Sequence, residues 1–299
     1  MFKLRIGYLV SGIVTGLILL VSFIGSLPDG KLHIVFCDVG QGDAIYVRFP
    51  DSRDMLIDGG PNNRVLACLG RHMPFWDREL DLVVLTHPQR DHLQGLLAVF
   101  NSYGVNYFLR SNVANNTEGY EKLVATIAEK KIAEKFALRG ERVDIGTSSL
   151  SVLWPSDRLM ARATGDKVLG AATAGNINDF SLVLWLRYGN FDALLTGDAD
   201  SRVEGDYIGQ QLADDRVELL KVPHHGSKTG MTENLVRWLQ PEIAVVSVGK
   251  NSYGHPAKEI LQMLADSDIR LLRTDVDGEV EVVSDGSNWT VKTRKTNSN

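Results

Sequence analysis

A short polar segment, Thr86 to His92, carries the densest set of residues that could do chemistry in this chain. It holds two imidazoles and a carboxylate, His87, Asp91 and His92, directly after the apolar run LDLVVL. Imidazole and carboxylate groups are ligands that Zn and Mn ions take in proteins. Either histidine alone would more often be structural, but three such groups in one loop favour a divalent metal site.

A second segment, LLTGD, ends in Asp198 just beyond the apolar run DALL. Gly197 allows the backbone to turn so that the Asp198 carboxylate points across the strand ends. The alternative is that Asp198 caps the helix that follows.

Two further histidine segments follow apolar runs in the second half of the chain. In VPHHGSK we expect one of the adjacent residues His224 and His225 to bind metal and the other to hydrogen-bond or to face substrate. In GKNSYGHP, His255 is either an acid or base near its ordinary pKa or a helix-start residue without a chemical role. Five of the seven histidines fall in these two loops and the Thr86–His92 loop. Chance placement would scatter the histidines along the chain.

The elements that position these segments are apolar runs bounded by turn residues. Strands are predicted at Leu32–Phe36, Ala44–Phe49, Asp54–Ile57, Leu80–Leu85, Ser149–Leu153, Ser181–Arg187, Asp192–Leu195, Val217–Val222 and Ile243–Val248, with a closing pair in EVEVVSDG and NWTVKT. Helices are predicted in VLACLGRHM and at His92–Tyr103, Glu118–Lys130, Ser201–Ala213, Thr232–Trp238 and Ala257–Ala265. Strand groups followed by strand–helix alternation in both halves indicate two packed sheets with helices outside.

An apolar run of 22 residues, Ile6 to Leu27, contains no charged residue. About 20 apolar residues match a bilayer core, so residues 1–30 are predicted to form an uncleaved membrane anchor. Lys3 and Arg5 favour a cytoplasmic N-terminus and an extracytoplasmic domain. A cleaved signal peptide, and hence secretion, is the alternative, although its apolar region is normally about 7–15 residues long. A buried core helix is disfavoured because the run has no polar face.

The composition, 44% hydrophobic and 23% charged among 299 residues, excludes a disordered, collagen-like or disulfide-scaffold protein. The net charge of −5 argues against binding nucleic acid over the whole surface. Without Lys3 and Arg5, 30 basic and 37 acidic residues remain, a net charge of −7, so a polyanion needs a local basic site. Cys37 and Cys68 either pair in an oxidising compartment or are buried thiols.

The motifs, taken in order, resemble the metallo-β-lactamase superfamily and, within it, the β-lactamase-like domain of ComEC-type DNA-uptake competence proteins. FCDVGQGDA and LIDGG resemble that group's opening motifs, and THPQRDHLQG stands where the family carries His-x-His-x-Asp-His. NINDFSLVLWL, LLTGDAD, LKVPHHGS, SVGKNSYGHP and TDVDGEVEVVSDGSNWTVKT follow in the family order. The similarity covers Leu32 to Thr293, and several ordered motifs make it specific.

The resemblance implies an α+β fold, an αββα sandwich of two packed mixed β-sheets flanked by helices, after the N-terminal transmembrane helix. The sandwich is expected at residues 31–295 and a disordered tail at 296–299. One or two divalent ions, Zn or Mn, would lie between the sheet edges. The implied ligands are His87 for one ion, Asp91 and His92 for the other, Asp198 as the bridge and His224 or His225 to complete the set. Asp58 would orient the ligands from behind.

Two departures from the family pattern weaken the first metal position. Gln89 stands where the superfamily has a histidine or another ligand such as aspartate, and a neutral amide is a poor zinc ligand. The histidine of the third motif is also missing, since Ile177-Asn178-Asp179 occupies that region. Asn178 or Asp179 is the remaining candidate there. The second position keeps a mixed oxygen and nitrogen set that suits Zn or Mn.

The expected activity is metal-dependent hydrolysis in which bound water is activated near neutral pH. Asp91, Asp198 and His255 are the residues expected to take part in catalysis. The resemblance to competence-type proteins implies a phosphodiester substrate, with single-stranded DNA in DNA uptake as the expected one. Lys228, Lys250 and Arg90 would bind phosphate locally, or are ordinary surface residues.

Two alternatives remain open at this stage. A degenerate domain that binds nucleic acid or a partner without catalysis is motivated by Gln89. A small-molecule hydrolase acting on lactone, thioester or β-lactam substrates keeps the same metal chemistry. The lipid bilayer and a separate competence channel protein are the other expected partners, because one candidate span cannot form a channel by itself.

Overall fold

We describe the protein from a computed structural model that covers residues 6–25, 27–164, 176–210 and 216–295. The helices are α1 (Ile6–Gly25), α2 (Arg64–His72), α3 (Arg90–Ser102), α4 (Glu118–Lys130), α5 (Asp157–Thr164), α6 (Ser201–Tyr207), α7 (Glu233–Leu239), α8 (Lys258–Asp266) and α9 (Thr274–Asp277). The first eight strands are β1 (Leu32–Phe36), β2 (Ile45–Arg48), β3 (Asp54–Ile57), β4 (Glu79–Leu85), β5 (Gly104–Arg110), β6 (Ala133–Phe136), β7 (Arg142–Ile145) and β8 (Ser148–Trp154). The others are β9 (Val183–Tyr188), β10 (Phe191–Leu195), β11 (Leu219–Lys221), β12 (Ile243–Val246), β13 (Arg270–Arg273), β14 (Glu279–Ser284) and β15 (Trp289–Arg294).

The strands form two mixed sheets. The first has the order β15-β14-β1-β2-β3-β4-β5-β6 and the second has the order β13-β12-β11-β10-β9-β8-β7. Strands β3 to β6 are parallel to one another, and so are β10 to β13. The pairs β1–β2 and β9–β10 are antiparallel. The predicted α+β class with two mixed sheets is therefore confirmed.

Three apolar layers hold the sheets and helices together. Side chains of both sheets, such as Ile34 and Leu184, interdigitate in the central layer. A second layer packs the first sheet on α2, α3 and α4, and a third packs the second sheet on α6, α7 and α8. Because both faces of β4 are covered, its sequence ELDLVVL is a nearly continuous apolar run rather than an alternating one.

The N-terminal apolar run forms α1, and its described large side chains are exposed. Among the residues that the structure covers, no helix has the length and apolar character required to span a bilayer. The predicted transmembrane helix is therefore not confirmed. The predicted tail at 296–299 and the end of the helix predicted at Ser201–Ala213 lie outside the described residues.

Several strands differ from the sequence predictions. Strands β5, β6, β7 and β13 were not predicted, and much of β6 and β7 is exposed at sheet edges, where no apolar pattern marks a strand. Cys37 and Cys68, for which the sequence left two states open, form a disulfide between the end of β1 and α2.

This disulfide predicts a measurable loss of stability on its removal. The double variant Cys37→Ala/Cys68→Ala should lower the free energy of unfolding by about 2–4 kcal/mol, because an enclosed loop of 31 residues no longer restricts the unfolded chain. Urea denaturation followed by circular dichroism measures the loss. Dithiothreitol should destabilise the wild type by a similar amount and leave the double variant unchanged; equal sensitivity of both proteins contradicts the prediction.

Candidate metal centre

The histidine and aspartate loops meet where the two sheets adjoin. His87 follows β4, Asp198 follows β10, and His224 and His225 follow β11. All three strands belong to the parallel parts of the sheets, whose carboxyl ends collect ligand-binding loops. The first sheet thus contributes His87, Asp91 and His92, and the second contributes the others.

Four of these residues form one compact cluster, consisting of Asp91, His92, Asp198 and His225. Oδ2 of Asp198 lies 3.3 Å from Nε2 of His92 and 3.4 Å from Nε2 of His225. Nε2 of His225 lies 3.4 Å from Oδ2 of Asp91. Ligands about 2.1 Å from a tetrahedral ion are separated by about 3.4 Å. These atoms therefore have the spacing of a four-ligand metal site.

Hydrogen bonds from outside the cluster fix the two buried imidazoles. Nδ1 of His92 donates to Oδ2 of Asp58 at 2.8 Å, and Nδ1 of His225 donates to the carbonyl oxygen of Ser247 at 2.8 Å. Each bond leaves Nε2 directed into the cluster without a hydrogen-bond partner among the described residues. Ligand histidines are usually oriented in this way, so the donor set fits a divalent ion.

Asp58 itself lies entirely within the interior. Its Oδ1 accepts the backbone N–H of Thr86 at 2.8 Å and its Oδ2 accepts the Thr86 hydroxyl at 2.7 Å. This places Asp58 behind His92 and outside the four-residue cluster, the position that the resemblance implies for an orienting carboxylate.

The backbone is strained where the cluster is assembled. His224 and His225 have φ of 50° and 53°, in the left-handed region that side-chain-bearing residues rarely adopt. Gly197 has φ of 51°, and a Cβ there would lie 2.9 Å from Cβ of Thr86. Asp198 does not cap α6, since Asp200 occupies the N-cap position. Its backbone N–H donates to the Ser181 hydroxyl at 3.0 Å instead.

His87 lies beside the cluster rather than in it. Its ring centroid is 4.2 Å from that of His92, and Nδ1 is 2.9 Å from Oγ of Ser181. Its Nε2 has no hydrogen-bond partner among the described residues. Nδ2 of Asn178 lies 3.1 Å from Nε2 of His224. Asn178 and Gln89 both line the cavity that opens onto the cluster. The amides of Gln89 and Asn178 therefore stand where the resemblance implies ligands for a second ion, beside the imidazoles of His87 and His224.

The adjacent histidines of PHHG have different environments. His225 is fully buried in the cluster, whereas His224 is partly exposed and its Nε2 is 3.9 Å from Oδ2 of Asp198. His255 contacts the His224 ring at a centroid distance of 5.5 Å and lines the cavity. Sequence reasoning did not decide between His224 and His225; the structure places His225 in the cluster and His224 at its mouth.

Two buried charged residues of the site were not predicted, Asp43 and Lys221. Nζ of Lys221 is 2.5 Å from Oδ2 of Asp43 and 3.6 Å from Oδ1 of Asp198. Oδ1 of Asp43 lies 3.5 Å from Nδ1 of His225. Both residues occur in quoted motifs, FCDVGQGDA and LKVPHHGS, but nothing local in the sequence shows that either is buried.

The mouth of the site is a cavity of about 590 Å³. Arg90, Lys250 and Tyr253 are exposed and line it together with Asp91 and His255. Lys228 does not line it: its ammonium pairs with Glu259 at 2.8 Å on the surface. Of the three predicted cations, only Arg90 and Lys250 therefore face the cavity.

Buried charges shift the pKa values of the histidines in opposite directions. Burial alone would lower the pKa of His225, but the carboxylates of Asp198 and Asp43 raise it to about 10. The pKa of His92 likewise lies well above its ordinary value, because Asp198 and Asp58 outweigh burial. Burial and the neighbouring His92 lower the pKa of His87 to about 3. At pH 7 the metal-free protein therefore carries protonated His92 and His225 and neutral His87.

The chain was compared with protein families, curated sequences and solved structures. No family model matches it. It is 29% identical over 271 residues to ComE operon protein 3 of Bacillus subtilis and 28% identical over 263 residues to competence protein ComA of Neisseria gonorrhoeae. These matches cover 85% and 86% of this chain but 33% of each relative, so the chain spans about a third of their length. They confirm the resemblance to competence proteins.

Two solved structures share the fold. The metallo-β-lactamase fold protein YhfI from Bacillus subtilis superposes with a TM-score of 0.52 at 12% identity, covering 84% of this chain and 99% of that one. Igni18, described as a metallo hydrolase from Ignicoccus hospitalis, has a TM-score of 0.52 at 15% identity, covering 83% and 98%. The likeness shows that the chain has a metallo-β-lactamase-like fold.

The raised pKa values predict that metal binding displaces protons. Zn²⁺ or Mn²⁺ binding at pH 7 should release about two protons, from His92 and His225, and the affinity should fall as the pH is lowered. Calorimetry in two buffers of different ionisation enthalpy gives the proton count. His33→Asn, which changes a histidine paired with Asp29 and Glu281 away from the cluster, should leave the count unchanged. Metal binding without proton release contradicts the prediction.

Proposed function

From its metallo-β-lactamase-like fold and its similarity to competence proteins, we propose that this chain is a metal-dependent hydrolase acting on phosphodiesters, with single-stranded DNA as the substrate class. The observation that carries the proposal is the four-residue cluster Asp91, His92, Asp198 and His225, whose ligand atoms have the spacing of a metal site.

Asp91, His92, Asp198 and His225 would hold one divalent ion, Zn or Mn. The ion would supply an activated water near neutral pH and polarise a phosphoryl oxygen. His87 and His224 lie next to this set, His87 against the His92 ring and His224 at the cavity. Asp58 and Ser247 keep the two imidazoles oriented, so the ligands are arranged before an ion arrives.

The cavity mouth favours an anionic substrate with an aromatic part. Arg90 and Lys250 place two cations beside the cluster, although the whole chain carries a net charge of −5. Tyr253 is exposed over 74% of its surface and lies 5.7 Å from the His255 ring. An exposed tyrosine beside phosphate-binding cations is the arrangement on which single-stranded bases stack.

A neighbouring cavity gives a longer substrate room to continue. Its volume is about 900 Å³, and it shares Pro61 and Arg90 with the cavity at the cluster. Arg64 also lines it. Lys250, Arg90 and Arg64 therefore line two adjoining cavities, which suits a chain of phosphates better than a compact lactone or β-lactam.

His255 is the candidate general acid or base. It lines the cavity, and its Nδ1 has no hydrogen-bond partner among the described residues. Burial and the nearby His224 lower its pKa, which favours the neutral ring that can accept a proton.

The proposal predicts metal-dependent hydrolysis that requires Asp198. The purified full chain with Mn²⁺ or Zn²⁺ should hydrolyse bis-p-nitrophenyl phosphate and single-stranded DNA. Asp198→Asn should reduce kcat by about 100-fold or more, because it removes a charged metal ligand. Asp206→Asn, at an exposed position of α6, is the matched control and should keep wild-type activity.

A second candidate function is favoured by Gln89, which lines the cavity where the family carries a metal ligand. In that case the domain binds single-stranded DNA and does not cleave it. A wild type that binds metal and a fluorescent oligonucleotide but hydrolyses neither substrate supports this second function and contradicts the first.

We further propose that α1 attaches the domain to a lipid surface on the extracytoplasmic side. The exposed apolar side chains from Tyr8 to Phe23 support attachment, and Trp76, 5.5 Å from the Phe23 ring, adds an exposed aromatic group of the kind enriched at membrane interfaces. The disulfide between Cys37 and Cys68 favours an oxidising compartment.

Attachment through α1 predicts a loss of lipid binding when its apolar surface is charged. The full-length triple variant Ile13→Lys/Leu17→Lys/Leu20→Lys should no longer float with phospholipid vesicles in a density gradient, whereas the wild type should. The apolar exchange Ile13→Leu/Leu17→Ile/Leu20→Ile is the control and should still float. Equal flotation of the charged variant and the control contradicts attachment through α1.

A further inference from the structure

Lys221 is a charged group of the described site that, like its partner Asp43, neither the metal chemistry nor the substrate contacts use. It is the last residue of β11 and its side chain is fully buried. A lysine ammonium is rarely buried completely unless anionic oxygens surround it, because it loses its hydration. The position of Lys221 therefore requires an explanation within the site.

Three oxygens surround the ammonium. Nζ of Lys221 donates to the carbonyl oxygen of Gly197 at 2.6 Å, and it lies 2.5 Å from Oδ2 of Asp43 and 3.6 Å from Oδ1 of Asp198. Two carboxylates and a carbonyl are also an oxygen set that a divalent ion accepts. The ammonium thus stands in a place whose surroundings would suit a metal ion.

Asp198 has a separate cationic neighbour for each of its two oxygens. Oδ2 faces Nε2 of His92 and of His225, which belong to the metal cluster. Oδ1 faces Lys221. A carboxylate that bridges two metal ions would use one oxygen for each ion. Here the second oxygen is directed at a side-chain cation.

Asp43 is the other carboxylate of this arrangement. It is 1% exposed, and its second oxygen is 3.5 Å from Nδ1 of His225, which itself donates to Ser247. Asp43 also forms a cluster of possible ligand atoms with Asp58 and His92. Without Lys221 these buried carboxylates would form a second acidic pocket directly behind the first metal site.

We propose that the ammonium of Lys221 permanently occupies an inner cation position between Asp43 and Asp198, so that the centre binds one divalent ion rather than two. The inference rests on the proposed metal-dependent function, and it specifies how many divalent ions that site binds. It also agrees with Gln89 and Asn178, which place amides at two positions where the resemblance implies metal ligands. Lys221 is a positioning residue: its charge lies 3.6 Å from Oδ1 of Asp198 and leaves Oδ2 to the ion.

Metal counting on the full-length protein tests the proposal. Calorimetric titration with Mn²⁺, followed by elemental analysis after gel filtration, should give one ion per wild-type chain. Lys221→Ala removes the ammonium and leaves room beside Asp43 and Asp198, so this variant should bind two ions per chain. Lys122→Ala, which removes an exposed lysine paired with Glu118 on α4, is the matched control and should bind one ion.

The melting temperature of the Lys221→Met variant provides a second test, which does not depend on the stability of the alanine variant. Methionine fills the same space without charge, so the metal-free variant should melt about 5 °C or more below the metal-free wild type. Added Mn²⁺ should then raise the melting temperature of Lys221→Met by more than it raises that of the wild type, because the ion becomes the only non-histidine cation beside Asp198.

The outcomes separate this inference from the proposed function. A wild type that binds two ions or none overturns the inference, and so does a folded Lys221→Ala variant that still binds one. An equal or smaller metal-induced stabilisation of Lys221→Met also overturns it. A wild type that binds one ion but hydrolyses no phosphodiester contradicts only the hydrolase, and the ion count of Lys221→Ala then still decides the role of Lys221.

Discussion

The burial of three carboxylates, Asp43, Asp58 and Asp198, where the two sheets adjoin is the constraint on which the rest of the structure depends. Each is at most 1% exposed. An ionised carboxylate in the interior costs several kcal/mol unless cations or hydrogen bonds compensate. Hydrogen bonds from Thr86 and His92 compensate Asp58, and cationic groups surround the other two.

These compensating groups come from both halves of the fold, which links the site to the packing of the sheets. Asp43 belongs to the first sheet's half of the chain, while Lys221 ends β11 in the second sheet. Their ion pair therefore crosses the interface that the central apolar layer closes. The left-handed backbone conformations of Asp58, His224 and His225 cost of order 1–3 kcal/mol each. They persist because the hydrogen bonds and ion pairs of this network hold the three residues in place.

The sequence predicted those parts of the candidate site that are local in the chain. His87, Asp91 and His92 lie within six residues after an apolar run, so their convergence follows from one loop at the end of one strand. Strands such as β1 and β3 were predicted with their observed bounds because their apolar runs end at turn residues. The edge strand β6 has no such signal, since three of its four residues are exposed.

Asp43 and Lys221 could not be predicted for a different reason. A single aspartate after glycine and a single lysine after two leucines are as common on surfaces as in sites. Only the packing of one sheet against the other makes them neighbours, and only burial makes their charges matter. Conversely, Lys228 lies in the histidine motif but pairs with Glu259, because its loop turns away from the cavity.

The charge of the whole chain and the charge of the site therefore act over different distances. A net charge of −5 repels a polyanion at long range, but salt screens exposed charges beyond about 8 Å at physiological ionic strength. Arg90 and Lys250 line the cavity mouth, where the proposed phosphodiester would come within that distance. Lys221 is shielded from solvent and neutralises Asp43 at every ionic strength. The inner charge balance thus belongs to the folded protein itself, whereas attraction of the proposed anionic substrate would depend on a few groups at the mouth and on the salt around them.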